Sequence, residues 1–282
     1  MKARESKGSK KLFIFIAAAV VLIGAIGFFI FNKMNAVNKQ EKIPVLQYTY
    51  LLKDQDKNAS PSLKDKQTIL SVSAFEKQMK YLADNKYHAI TLSEFNEFIK
   101  EKKKLPAKSV LITFDNSSKS NYIYAYPILK KYKMHAASFV VTSRITEKTQ
   151  KFDTRNIQPL SKIEMEKMKD VFEFGSHTHD LYNFSDDLPA LLVKNKNDVK
   201  SDILKSKEIL QTKYISYPFG KYNENAIEVL KDLNMSLAFG NSPGYATQES
   251  KPFEIERWYI SSKTTMNQFV KIVSGEYEVN KK

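Results

Sequence analysis

The chain has 282 residues, 42% hydrophobic and 27% charged, a globular composition that excludes a disordered or low-complexity protein. It has no cysteine, which excludes disulfides, thiolate metal sites and a cysteine nucleophile. A net charge of +14 suits an anionic surface such as wall polymer or lipid headgroups. No nucleic-acid motif accompanies that charge, so nucleic acid is not an expected partner.

In chain order, residues 1–11 form a basic tail, with Lys2, Arg4, Lys7, Lys10 and Lys11 against Glu5. Leu12 to Phe31 is an unbroken apolar run. At a rise of ~1.5 Å per residue it spans about 30 Å, the thickness of the hydrocarbon layer. Met34-Asn35-Ala36 is a poor match to a small-x-small cleavage site, so an uncleaved transmembrane anchor is predicted. The basic flank places the N-terminus in the cytoplasm and the rest of the chain outside, in a single-pass cell-membrane protein. Residues 32–42 read as a polar tether, and 43–282 as one outer domain.

In that domain, short apolar runs alternate with helix-period segments. Strands are predicted over Ile43–Tyr48, Tyr87–Leu92, Ser109–Phe114, Ala136–Thr142, Phe172–His177, Tyr214–Pro218, Met235–Phe239 and Ile255–Ile260. Ser73–Glu76 and Ser161–Glu164 read as capping boxes, each opening a helix. Strand–helix alternation implies parallel strands, and this number of strands favours a distorted (β/α) barrel behind one N-terminal transmembrane helix. The stretches 51–68 and 143–160 read as long polar rim loops.

Barrels carry function at the C-terminal ends of their strands. There the sequence places Asp115-Asn116, then Ser176-His177-Thr178-His179-Asp180, then Tyr217-Pro218-Phe219-Gly220, then Glu256-Arg257-Trp258. Acid, imidazole and aromatic groups thus fall on one predicted face. Gly240-Asn-Ser242-Pro-Gly244 matches a nucleophile-elbow pattern, but Pro243 lacks the N–H that an oxyanion needs, so the segment reads as a loop. Trp258, the single Trp, suits either sugar stacking or core packing. Tyr182 and Phe184 are further candidates to stack on a sugar.

The segments SVLITFDN (109–116), YAYPILKKYKMHAASFVVT (124–142), FEFGSHTHDLYNFS (172–185), ISYPFG (215–220) and IERWYI (255–260) together resemble the NodB-like polysaccharide deacetylases, carbohydrate esterase family 4. The resemblance is strongest to the poly-β-1,6-N-acetylglucosamine N-deacetylases. It implies a divalent metal, zinc, that polarises an N-acetyl carbonyl and activates water. By that resemblance Asp115 matches the catalytic base, Arg257 the residue that orients it, and Tyr217 opens the motif whose backbone helps to hold the oxyanion. Phe219 lies in the same motif and, with Tyr182 and Trp258, is a candidate for substrate binding. His177 matches a metal ligand. Asn116 and Tyr182 fall where the family has Asp and His.

An amide oxygen is neutral, and a phenol near pKa 10 resists deprotonation at neutral pH, so metal affinity should fall steeply. A shifted site is the alternative: His177 and His179 are two apart and share a strand face, and Asp115 could complete it. The implied function is to act on, or bind, an N-acetylhexosamine polymer outside the cell. A catalytically inactive polysaccharide-binding module or scaffold is the other reading.

Overall fold

The computed structural model describes residues 41–278. The anchor, the basic tail and nearly all of the tether lie outside the described residues. Among the described residues, no helix is long and apolar enough to cross a membrane.

The strands in chain order are β1 (Ile43–Tyr48), β2 (Tyr50–Leu52), β3 (Ile69–Ser71), β4 (His88–Ala89), β5 (Ser109–Asp115), β6 (Ala136–Val140), β7 (Phe172–Ser176), β8 (Phe184–Ser185), β9 (Leu188–Pro189), β10 (Tyr214–Ser216), β11 (Leu237–Phe239), β12 (Tyr245–Ala246) and β13 (Trp258–Tyr259). The main sheet runs β11-β10-β7-β6-β5-β1. Every pair along that path is parallel, and β13 continues it in parallel on β1. A parallel bridge from Phe239 to Ile255 brings the two ends of the path towards each other. The result is a parallel, barrel-like α/β fold whose closure is a single bridge.

Burial explains the strand sequences. All seven residues of β5 and all six of β1 are buried, as in parallel strands covered on both faces. Alternate side chains then part company. Leu46, Tyr48, Ile112 and Phe114 pack outward on Phe75 and Met79 of the helix Val72–Asp84. Val45 and Leu111 face Phe139, Phe239 and the rings Phe95 and Phe98 of the helix Leu92–Lys100. That helix closes the N-terminal end of the sheet, and the Glu173 carboxylate accepts from its first N–H, that of Leu92, at 2.5 Å.

Several sequence expectations need correction. The predicted strand Tyr87–Leu92 shrinks to His88–Ala89, because Thr91 caps the next helix in a capping box with Glu94. Ser73 is not an N-cap. Ser71 accepts from the Ala74 N–H, while Ser73, already in the helix, donates to Asp54. The Ser161–Glu164 box is present. The stretch 51–68 is not simply a loop: β2 pairs with β3, and Asp54–Ala59 is helical. Behind the first motif, Lys119 and Glu164 form a fully buried ion pair that ties the loop after β5 to the helix Lys162–Met168.

Candidate active site

Parallel strands bring their C-terminal ends to one side. Asp115 ends β5, His177 follows β7, Ser216 ends β10, and Arg257 precedes β13. Arg257 is completely buried and grips Asp115 with two hydrogen bonds of 2.8 Å each, Nη1 to Oδ1 and Nη2 to Oδ2. Its Nε donates to the Gly240 carbonyl at 2.6 Å. Gln47 Nε2 and the Ser216 hydroxyl also donate to Asp115 Oδ2, at 2.7 and 3.2 Å. Burial alone would raise the Asp115 pKa. The Arg257 guanidinium, His177 and the hydrogen bonds from Arg257 and Gln47 outweigh it and hold the carboxyl below its ordinary value.

His177 is 1% exposed and bonds through Nδ1 to the Ser216 carbonyl at 2.7 Å. A carbonyl only accepts, so Nδ1 carries the proton and Nε2 is the acceptor. Burial lowers the His177 pKa and favours the neutral ring. Tyr182 lies with its ring 5.0 Å from that of His177, and Asn116 Nδ2 donates to the Tyr182 hydroxyl at 3.1 Å. The structure therefore brings Asp115, Asn116, His177 and Tyr182 together, from segments up to 67 positions apart in the sequence.

The backbone around these groups is strained in a consistent place. Asn116 (φ 69°) and Ser117 (φ 41°) leave β5 in the left-handed region, as do Thr178 (φ 70°) after β7 and Phe219 (φ 56°) after β10. For a β-branched residue such as Thr178 that region is a true outlier, and such strain gathers at functional sites. Local bonds hold each turn. The Thr178 N–H donates to Ser176 Oγ at 3.0 Å, and Asp202 of the helix Lys196–Leu210 accepts the N–H groups of His179 and Asp180 at 2.7 Å each.

Some predicted residues are placed elsewhere. His179 bonds to Thr142 Oγ1 at 2.9 Å, and among the described residues no three of His, Asp and Glu gather as a metal site. The shifted His177–His179–Asp115 arrangement is thus not formed, because the chain turns at Thr178 and ends the strand alternation. Tyr217 is a core residue: its hydroxyl donates to the Phe253 carbonyl at 3.0 Å and its N–H to the Phe239 carbonyl at 3.0 Å, so neither is offered to a substrate. Trp258 is 4% exposed and packs against Tyr245 and Tyr277, away from Asp115. Strand alternation accounts for this, since Arg257 and Tyr259 share one side and Trp258 takes the other. Phe219 does stand at the site, stacked on Tyr182 at 4.5 Å.

Sequence reading missed five residues here. Tyr259 is 39% exposed, and its pKa is pushed up to about 12 by burial and then by Tyr182 and Asp115. Tyr50 is raised by burial, with Tyr182 adding and an Asn116 hydrogen bond opposing. Arg144 lies over the Tyr182 ring at 5.0 Å and donates to its carbonyl at 3.0 Å. Gln47 and Ser216 complete the Asp115 network. A signal existed for these last two: each is a polar residue inside an otherwise apolar buried strand, where it needs a partner.

A polysaccharide deacetylase family model matches residues 102–238. The poly-beta-1,6-N-acetyl-D-glucosamine N-deacetylase of Staphylococcus aureus is 34% identical over 211 residues, spanning 72% of this chain and 71% of that protein. The chain belongs to the polysaccharide deacetylase family. A protein of the same name from Staphylococcus epidermidis is 29% identical over 238 residues, 81% of this chain and 78% of its own. Among solved structures, the Streptococcus pyogenes deacetylase PplD in complex with acetate superposes with a TM-score of 0.72 at 25% identity, over 83% of this chain and 99% of its own. IcaB from Ammonifex degensii, at 22% identity, shares the fold with a TM-score of 0.67 over 83% of this chain and 96% of its own.

The family is metal-dependent in general, and among the described residues no clear metal-binding group of His, Asp and Glu is formed. The charge of Asp115 is neutralised by Arg257. Asn116 supplies only a neutral oxygen, and burial raises the Tyr182 pKa, opposing a phenolate ligand. Of these three groups, Asn116, Tyr182 and His177, only the His177 imidazole is a usual zinc ligand, since an amide oxygen and a protonated phenol are weak donors. Asn116 donates to the Tyr182 hydroxyl, while the buried Asn116 Oδ1 and Gln47 Oε1 acceptors have no donor among the described residues.

Proposed function

We propose that this chain is a membrane-anchored, outward-facing member of the family that binds a poly-N-acetylglucosamine polymer at the Asp115–Tyr182 site without metal-assisted hydrolysis. The single observation behind this reading is the Asn116–Tyr182 hydrogen bond, which joins the two altered ligand positions into a neutral pair beside His177. The order of the family segments and the names of the curated relatives support the polymer. The apolar run Leu12–Phe31 and its basic flank support the anchor. The Asp115–Arg257 pair then fixes a charge that orients sugar hydroxyl or amide N–H groups, while rings at the mouth meet the apolar faces of the sugars.

The test is metal analysis of the purified chain together with acetate release from β-1,6-linked N-acetylglucosamine oligomers. The expected result is oligomer binding with no retained zinc and no acetate. One zinc per chain with acetate release that chelator abolishes would overturn the reading.

A further inference from the structure

A row of aromatic rings leads outward from the site. Tyr182 lies 5.0 Å from His177, Phe219 stacks on Tyr182 at 4.5 Å and 23°, and Phe184 lies 4.4 Å from Phe219. Exposure rises along the row. His177 is fully buried, Tyr182 and Phe219 are half-buried, and Phe184 is 59% exposed. A single surface Phe needs no explanation. One that forms the outer end of a stack beginning in the site is placed by the same structure that places the site.

Two strained turns hold the outer rings. Phe219 keeps φ at 56° inside the short turn Pro218–Gly220, and Asn241 Nδ2 donates to its carbonyl at 3.0 Å. Phe184 sits on the β8–β9 hairpin, in which Phe184 faces Pro189 and Ser185 faces Leu188. The two-residue loop, Asp186 (φ 50°) and Asp187 (φ 60°), has the left-handed pair that matches the twist of a tight hairpin. The base of the hairpin is fixed as well: the Ala190 N–H donates to the Asn183 carbonyl at 3.0 Å, and Asn183 Nδ2 to the Asp180 carbonyl at 2.7 Å. Phe184 is therefore a held ring with an open face. Its partial exposure means that it adds little to the core, while the fixed hairpin backbone and the contact with Phe219 limit the freedom that stacking would cost.

We propose that Phe184 is a stacking subsite for the hexosamine ring adjoining the unit held at Asp115 and Tyr182. The ligand class is the apolar C–H face of an uncharged N-acetylated pyranose within a chain. This proposal rests on the polymer-binding reading above and adds where the next unit lies.

The test is calorimetric titration of the full chain in detergent with β-1,6-linked N-acetylglucosamine oligomers of increasing length, for the wild type, Phe184→Ala and Phe184→Tyr. The wild type should bind longer oligomers more tightly than short ones. Phe184→Ala should weaken the longer oligomers roughly three- to tenfold, the range of one aromatic contact, and leave the shortest binder unchanged. Phe184→Tyr should retain wild-type affinity at every length. An unchanged thermal midpoint for Phe184→Ala would assign any loss to the ring and not to folding. Equal binding of every length by wild type and Phe184→Ala would overturn the subsite and leave the polymer reading standing. Absence of oligomer binding by the wild type would overturn both.

Discussion

The Arg257 side and the Tyr182 side of the site solve the same problem, a polar group out of water, in opposite ways. On the first, a full negative charge is kept and answered by a buried guanidinium, an amide and a hydroxyl at 2.7 to 3.2 Å. On the second, the groups are neutral: an amide and a phenol meet at 3.1 Å beside an imidazole whose neutral form burial favours. A buried charge pair cannot lose one partner cheaply, whereas neutral hydrogen-bonding groups can be exchanged for one another at modest cost. The Arg257 side is thus bound to the fold itself, and the Tyr182 side is free to change its chemistry while the backbone beneath it stays.

The sharpest way to break this contrast is to restore charge on the neutral side. Asn116→Asp with Tyr182→His should raise zinc affinity by orders of magnitude, read as metal retained after dialysis, because an anionic oxygen and a second imidazole join His177. Failure to gain metal would mean that the three positions do not share one coordination point.

Next in size is removal of charge compensation on the other side. Arg257→Met should cost roughly 3–5 kcal/mol of stability in denaturant unfolding, since Asp115 is left buried and unpaired. The pH dependence should change sign with it. In the wild type the folded Asp115 pKa is depressed, so its contribution is present above the ordinary carboxylate pKa near ~3.9 and is lost as pH falls through the lower folded value. In Arg257→Met, burial dominates and raises the folded pKa. That variant should gain stability as pH falls from neutral through the raised value, measured as a midpoint that climbs where that of the wild type stays level.

The smallest expected effect lies within the neutral pair. Tyr182→Phe leaves the Asn116 amide without its acceptor and should cost about 1 kcal/mol, visible as a small fall in the unfolding midpoint. A cost as large as that of Arg257→Met would show that the two sides are not built on different terms after all.

Much of this molecule was legible in one dimension. The buried runs of β1 and β5, the Ser161–Glu164 box and the strand–helix alternation follow from hydrophobic period and capping chemistry, which act over a few residues. Those local rules sufficed to place Asp115, Asn116, His177, Arg257 and Phe219 at strand ends on one side. They failed where direction, not position, was at stake. Strand alternation puts His179 on the face of His177, and only the left-handed turn at Thr178 sends it to Thr142 instead. Trp258 suits sugar stacking and core packing equally by sequence, and the pairing of β13 with β1 decides for the core, turning Tyr259 to the site.

What the sequence determined by itself was therefore the strand–helix alternation, the family segments and the neutral residues Asn116 and Tyr182 at their positions, since each depends on residue type and spacing alone. Tertiary structure decided which side chains meet. The Asn116–Tyr182 bond, the Gln47 and Ser216 bonds to Asp115 and the ring row ending at Phe184 join residues far apart in the chain. Their partners are fixed by strand register and by a handful of strained turns, which no local pattern encodes.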